Sequence, residues 1–322
     1  MTTHPVKVVV LMGGPSEEHE ISLKSGHGVA HALSQQGFLI EPVVIPKTLS
    51  LEEASRFAQR VLPTTFADVV FLALHGTFGE DGTIQQLCEQ LQLPYTGSDP
   101  SASRLGMDKV ASRVQFEGAG LPVPRWTVME LARDEGSLPK AWSYPVVVKP
   151  VNQGSSVGVT VVRQARDFTP ALAEAGRYGP QALVEEFIEG REVTVGILGD
   201  EPLPVVEIRP RQPFFDFTAK YTPGSTDYLV PAPLEPEVAK AAQAVAHAAH
   251  QALGCRHLSR ADLILNASQT PVLLEVNTIP GFTPTSLLPK AAACVGISYG
   301  ALCGQLVHMA LRDAAKVALS PS

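Results

Sequence analysis

Two carboxylates and a carboxamide are spaced so that they can hold a hard cation. Asp262 lies in Ser259-Arg260-Ala261-Asp262-Leu263-Ile264-Leu265; Glu275 and Asn277 lie in Leu273-Leu274-Glu275-Val276-Asn277-Thr278-Ile279-Pro280-Gly281. Between these apolar runs stands the turn-rich Asn266-Ala267-Ser268-Gln269-Thr270-Pro271, the pattern of an antiparallel hairpin. Pairing Leu265 with Val272 sets Asp262 opposite Glu275 and Arg260 opposite Asn277. Side chains alternate along a strand, so Asp262, Glu275 and Asn277 then share one face. Facing carboxylates repel, and folding alone does not recommend the arrangement. A divalent cation does: Mg2+ takes oxygen ligands and combines one or two carboxylates with substrate phosphates. A slip of one residue would turn Asp262 to the other face, and a solvated acidic strand face is the plain alternative.

A second set of residues suits a nucleotide. Val146-Val147-Val148-Lys149-Pro150 reads as a strand ending in a lysine, followed by Asn152-Gln153-Gly154-Ser155-Ser156-Val157-Gly158, a loop rich in backbone and hydroxyl donors. No Gly-Lys-Ser/Thr closes it and a further strand follows, so it is not a Walker loop. Such a loop can still cover phosphates while Lys149 supplies charge; a simple hairpin connection is the alternative. Leu183-Val184-Glu185-Glu186-Phe187-Ile188-Glu189-Gly190-Arg191-Glu192 carries acids at both ends of an apolar turn. Backbone carbonyls there would suit an adenine amino group and the carboxylates a ribose; solvated charges on a strand edge are the alternative. Residues 211–233 form a long irregular stretch, and loops of that length are usually lids or linkers. Phe214, Phe215, Phe217 and Tyr221 argue for a lid, since aromatics are depleted in disordered segments.

The elements that must position these groups follow from pattern. Strands and helices alternate from residue 6 to about 100: strand 6–12, a helix ending at Gly37, strand 38–45, helix 51–62, strand 68–74. That is a doubly wound parallel sheet, whose ligands collect beyond the carboxyl ends of the strands. Two acidic glycine loops leave such ends, one over residues 13–20 and one over 75–82. A smaller α+β unit follows, with Asp108 as a helix cap and a strand at 145–149. The rest holds strands at 192–198 and 205–208, an alanine-rich helix at 235–253, the acidic hairpin and closing helices.

At 322 residues with 45% hydrophobic and 18% charged residues, the chain has room for two or three globular domains. Its net charge of −7 and lack of a basic cluster argue against nucleic acid, and no apolar run is long enough to span a bilayer. The N-terminus has no basic region or cleavage site and reads as a buried strand. Cys88, Cys255, Cys294 and Cys303 lack metal-type spacing, sit among apolar residues and read as core thiols of a reducing cytosol. A cytoplasmic protein with a small-molecule partner is expected.

Taken in order, several segments resemble the D-alanine–D-alanine ligases of the ATP-grasp superfamily: Gly13-Gly14-Pro15-Ser16-Glu17-Glu18-His19-Glu20-Ile21-Ser22, His75-Gly76 with Gly79-Glu80-Asp81-Gly82-Thr83, Met107-Asp108-Lys109, Val148-Lys149-Pro150, Gly154-Ser155-Ser156-Val157-Gly158, Phe215-Asp216-Phe217 with Lys220-Tyr221, and Glu275-Val276-Asn277-Thr278 with Pro280-Gly281. The resemblance runs from the first strand to about Pro289. It implies an α/β and α+β chain with an ATP-grasp fold and an N-terminal doubly wound parallel-sheet domain. The divisions expected are 1–103 for substrate, 104–190 for the central unit, and 191–322 for the C-terminal unit with its lid over 211–233.

It also implies a reaction: ATP phosphorylates one D-alanine, and the amine of a second attacks the acyl phosphate, making D-alanyl-D-alanine for peptidoglycan precursors. Carried onto matching positions, Asp262, Glu275 and Asn277 hold two Mg2+ (or Mn2+) ions, with Glu275 bridging them. Lys109, Lys149 and Lys220 meet the phosphates, Glu185, Ile188 and Glu192 grip adenine and ribose, and Ser156 also binds the nucleotide. Glu18 anchors the first substrate's ammonium and His75 also meets substrate; Ser286 and the Leu287 N–H receive the second substrate's carboxylate. Arg260 and the Gly281 N–H stabilise the oxyanion, and Ser155 and Tyr221 hydrogen-bond with Glu18 to close the lid. The family also implies a homodimer. Phe215 and Phe217 depart from the tyrosines of many relatives, and Thr77 stands where an arginine is common. A D-lactate- or D-serine-joining ligase is the alternative, weighed against by Tyr221. A regulator without turnover is disfavoured by the intact metal positions and Arg260, and a ligase of larger acids by the Glu18 loop.

Overall fold

The computed structural model describes residues 4–133, 137–210 and 226–319, the last helix with side chains to 316. The N-terminal sheet is parallel, with β1 (Lys7–Gly13) between β2 (Leu39–Ile45) and β3 (Val69–Leu72). Val8, Val10 and Met12 enter one core with α1 (His19–Gln35) and α9 (Tyr299–Leu319). Val9 and Leu11 enter another with α2 (Leu51–Val61) and α3 (Thr83–Gln90). Burial on both faces is why β1 reads as an unbroken apolar run rather than an alternating one. The strand ends at Gly13 (φ +87), where a Cβ would lie 2.4 Å from the Ile45 carbonyl oxygen, and the chain turns into α1 through Glu18.

The middle sheet is antiparallel, in the order β4 (Trp126–Glu130), β7 (Gln181–Glu186), β5 (Val146–Pro150), β6 (Thr160–Val162). Phe168, Ala171 and Leu172 of α6 (Phe168–Ala175) cover one face. Two further helices, α4 (Pro100–Met107) and α5 (Lys109–Gly118), meet at Asp108, whose carboxylate accepts from the Val110 and Ala111 N–H groups and caps α5 as expected.

The C-terminal sheet is ordered β11 (Thr226–Leu229), β10 (Val206–Pro210), β8 (Gly190–Leu198), β12 (Leu258–Asn266), β13 (Pro271–Asn277), with the short β9 (Glu201–Pro202) beside β8. Ala242, Ala246 and Ala249 of α7 (Pro236–Ala252) line the helix face against it; their small side chains let the helix lie close. Between the hairpin and α9 runs α8 (Leu287–Cys294). Among the described residues no single helix is long and apolar enough to cross a membrane.

Three expectations are corrected. Residues 226–229, read as part of an irregular stretch, form β11 against β10, because Thr226 and Tyr228 are good strand formers and the edge of β10 is there to join. Cys294 is exposed rather than a core thiol, since it ends α8 on its solvent side. In the hairpin, Leu265 pairs with Pro271, not Val272. Asp262 still faces Glu275, and Arg260 faces Asn277, because Leu274 is an extra residue on β13 that restores the register at the functional end.

Candidate active site

A cavity of about 570 Å³ opens where the ends of the N-terminal parallel strands meet the C-terminal sheet. Glu18, His75 and Ser155 line it from the N-terminal and central parts of the chain. Asp262, Glu275 and Asn277 reach it from β12 and β13, together with Arg260. Gly281, Ser286 and Leu287 complete it from the loop into α8.

The Ser155 hydroxyl donates to Glu18 Oε1 at 2.5 Å. Close packing around that carboxylate makes a glycine necessary at 76: its φ is +69°, and a Cβ there would approach Glu18 Oε2 to 2.7 Å. His75 is 4% exposed. Its Nδ1 lies 3.2 Å from the Ile279 carbonyl, which can only accept, so Nδ1 carries the proton and Nε2 accepts from the Ser25 hydroxyl at 3.0 Å. Burial lowers the His75 pKa against the pull of Glu18, which favours the neutral ring. Glu80, on the same wall, was not singled out by the sequence. Burial first, and then the Glu18 charge, push its carboxyl up to about 8, although the Gly76 and Ile279 N–H groups bond to it.

On the facing sheet, Arg260 holds Asp262 through two parallel bonds, Nε to Oδ1 at 2.9 Å and Nη2 to Oδ2 at 2.8 Å. Thr194 of β8 donates to Oδ1 at 2.6 Å and Asn277 Nδ2 to Oδ2 at 3.1 Å. The amide oxygen of Asn277, two carboxylates and incoming phosphates form the all-oxygen donor set that Mg2+ or Mn2+ prefers, so these residues fit such an ion. Among the described residues no three His, Cys, Asp or Glu side chains cluster for a metal.

Beside the hairpin runs a row of ionic groups. Lys109 Nζ lies 3.9 Å from Glu275 Oε2 and donates to the Gln153 carbonyl. Burial lowers the Lys109 pKa; the Glu275 charge opposes that and Lys149 adds to it. Lys149, 8% exposed, contacts Glu185 Oε2, and Arg113 contacts Oε1. The Glu185 side chain is 1% exposed between these two cations, whose charges outweigh its burial and hold its pKa low. Ile188 is half-buried in the link from β7 to β8, and Glu192 lies on β8 opposite Ile208. Ser155 and Ser156 sit at φ +51° and +59° in the loop before β6. Ser286 begins α8, but its hydroxyl lies 2.8 Å from Thr283 Oγ1 and accepts from the Thr283 N–H at 3.0 Å rather than capping the helix, whose first N–H groups have no intrahelical acceptor. Lys220 and Tyr221 lie outside the described residues, as do Phe214, Phe215 and Phe217. Arg113 was missed, although its place four residues after Lys109 puts both on one face of α5.

An antiparallel sheet carrying the buried Lys149, a second antiparallel sheet whose hairpin presents Asp262, Glu275 and Asn277, and a parallel N-terminal sheet make the arrangement of an ATP-dependent ligase of the ATP-grasp class. The D-ala D-ala ligase N-terminus family matches residues 7–65 and 50–98, and the D-ala D-ala ligase C-terminus family matches 115–308. The chain is 46% identical over 312 residues to the D-alanine--D-alanine ligase of Gluconobacter oxydans, covering 95% of this chain and 99% of that protein. It is 45% identical over 311 residues to that of Granulibacter bethesdensis, covering 94% and 97%. The crystal structure of the Bacillus anthracis D-alanine--D-alanine ligase complexed with ATP superposes with a TM-score of 0.82 at 29% identity, over 97% of this chain and 99% of that one. The chain therefore belongs to the D-alanine–D-alanine ligase family.

Proposed function

We propose that the protein joins two molecules of D-alanine through a D-alanyl phosphate, and that the cavity described above is where it does so. The observation that carries this reading is that one cavity is lined both by the Glu18–Ser155 pair and by Asp262, Glu275 and Asn277. Glu18 receives the ammonium of the first D-alanine. Lys109 and Lys149 hold the phosphates of ATP, Ser156 adds a donor from the loop, and Ile188 and Glu192 meet adenine and ribose. Glu185 contributes through Lys149, which its carboxylate holds. Mg2+, held by Asp262, Glu275 and Asn277, supplies charge neutralisation at the phosphates. The first carboxylate takes the γ-phosphoryl group of ATP and ADP leaves. The amine of the second D-alanine, whose carboxylate Ser286 and the Leu287 N–H receive, then attacks the acyl carbon; phosphate departs and the amine loses a proton. Arg260 and the Gly281 N–H face the oxyanion that develops. Water must be kept out while the acyl phosphate exists.

The division at 103 and 190, a homodimer and a cytoplasmic setting belong to the same proposal. The test is ADP release with D-alanine, L-alanine and D-lactate offered separately. Release with D-alanine alone, with D-alanyl-D-alanine as product, is expected; release that needs D-lactate would transfer the reading to depsipeptide synthesis.

A further inference from the structure

We infer that Arg113 is a positioning residue for this reaction, setting the phosphate lysine Lys149 and the metal ligand Glu275 relative to one another. Its guanidinium is 2% exposed and has acceptors on two sheets. Toward the middle sheet, Nε donates to Glu185 Oε1 at 2.7 Å and Nη2 donates to the same oxygen, while Glu185 Oε2 takes Lys149. Toward the C-terminal sheet, Nη2 donates to the Leu274 carbonyl at 2.5 Å and Nη1 approaches the Leu273 carbonyl at 3.4 Å. Those carbonyls flank the extra residue that brings Glu275 opposite Asp262. A bulge and a sheet edge both leave backbone groups outside the ladder, and Arg113 donates to these two carbonyls.

Stability alone gives little reason for the arrangement. A buried ion pair is often no better than apolar residues of the same volume. What the planar fork offers is geometry: it fixes a carboxylate and two carbonyls at once, which a lysine ammonium cannot do. Lys109 lies one turn earlier on α5, 3.9 Å from Glu275, so one helix face ties the phosphate row to the bulge at two points.

The inference rests on the assignments of Glu275 to the metal and Lys149 to the phosphates. The test compares Arg113→Lys and Arg113→Met with the wild type in KM for ATP, KM for D-alanine, melting temperature, and Mn2+ binding in the presence of ADP by calorimetry. For Arg113→Lys the expected result is a rise of about tenfold or more in the ATP KM and the Mn2+ dissociation constant, as for other residues that orient metal ligands, with the D-alanine KM unchanged. Arg113→Lys keeps the charge and most of the volume, so it decides the question if Arg113→Met does not fold. Wild-type Mn2+ affinity and ATP KM in Arg113→Lys would overturn the inference, as would losses in all constants that merely follow the melting temperature. Glu275→Gln, measured alongside, separates the two layers: unchanged Mn2+ binding there sinks the metal assignment, whereas weak binding there with normal Arg113→Lys sinks only the role of Arg113.

Discussion

The Ser155 hydroxyl meets the Glu18 carboxylate at 2.5 Å, joining a loop of the middle sheet to the start of α1 across 137 residues of chain. Ser155 makes this contact from φ +51°, a conformation costly for any side chain with a Cβ. Alanine is strained there as serine is, so Ser155→Ala isolates the hydroxyl. Loss of a part-buried hydrogen bond of about 1–3 kcal/mol corresponds to roughly fivefold to 150-fold in kcat/KM for the first D-alanine. Steady-state kinetics should show that loss with the ATP KM unchanged; a parallel rise in both constants would mean that the loop has moved as a whole.

Glu275→Gln removes one charge from the hairpin without altering its volume. Turnover should fall on the order of a hundredfold or more, as when a single preorganised electrostatic group is lost, while the circular dichroism and melting temperature stay near wild type. Wild-type turnover at saturating Mg2+ would show that Glu275 only pairs with Lys109.

Lys149→Ala takes one of two cations from Glu185, leaving Arg113 to hold it. The KM for ATP should rise far more than that for D-alanine. Equal effects on the two substrates would make Lys149 a support for Glu185 rather than a phosphate ligand.

How much could be seen beforehand depended on the range of each signal. The hairpin face was legible because period-two alternation is local, and Asp262 does oppose Glu275. The path to it was not: the pairing of Leu265 with Pro271 depends on Leu274, whose carbonyl is satisfied by Arg113, 161 residues earlier. The α1 and β1 elements followed from their apolar patterns, whereas β11 exists through its pairing with β10. For the same reason the ion pairs of Glu185 were not legible, since neither Arg113 nor Lys149 is its neighbour in sequence. Glu80 stood in a recognisable acidic loop, but its environment is made by Glu18 and Ile279 from distant segments.

Glu80 gives the pH dependence a sign. Part of its surface faces the cavity, but protein surrounds it elsewhere, and its carboxyl is pushed up to about 8 from 4.5. The folded state therefore keeps a proton that the unfolded state releases near 4.5. The stabilising contribution is fully present below that value and declines as pH rises toward 8, with a slope that cannot exceed about 1.4 kcal/mol per pH unit for one proton. Glu80→Gln holds the group neutral at every pH, and its amide oxygen can still accept from the Gly76 N–H. His75, whose pKa is lowered by burial, works in the opposite direction, but it is common to both proteins. Urea unfolding of wild type and Glu80→Gln at intervals from pH 5 to 9 isolates the difference. The two should be alike near pH 5, and the variant should become progressively the more stable up to about pH 8, after which the gap stays constant. A gap that does not change with pH would mean that Glu80 is ionised throughout and that its neighbours, not its proton, settle its place beside Glu18.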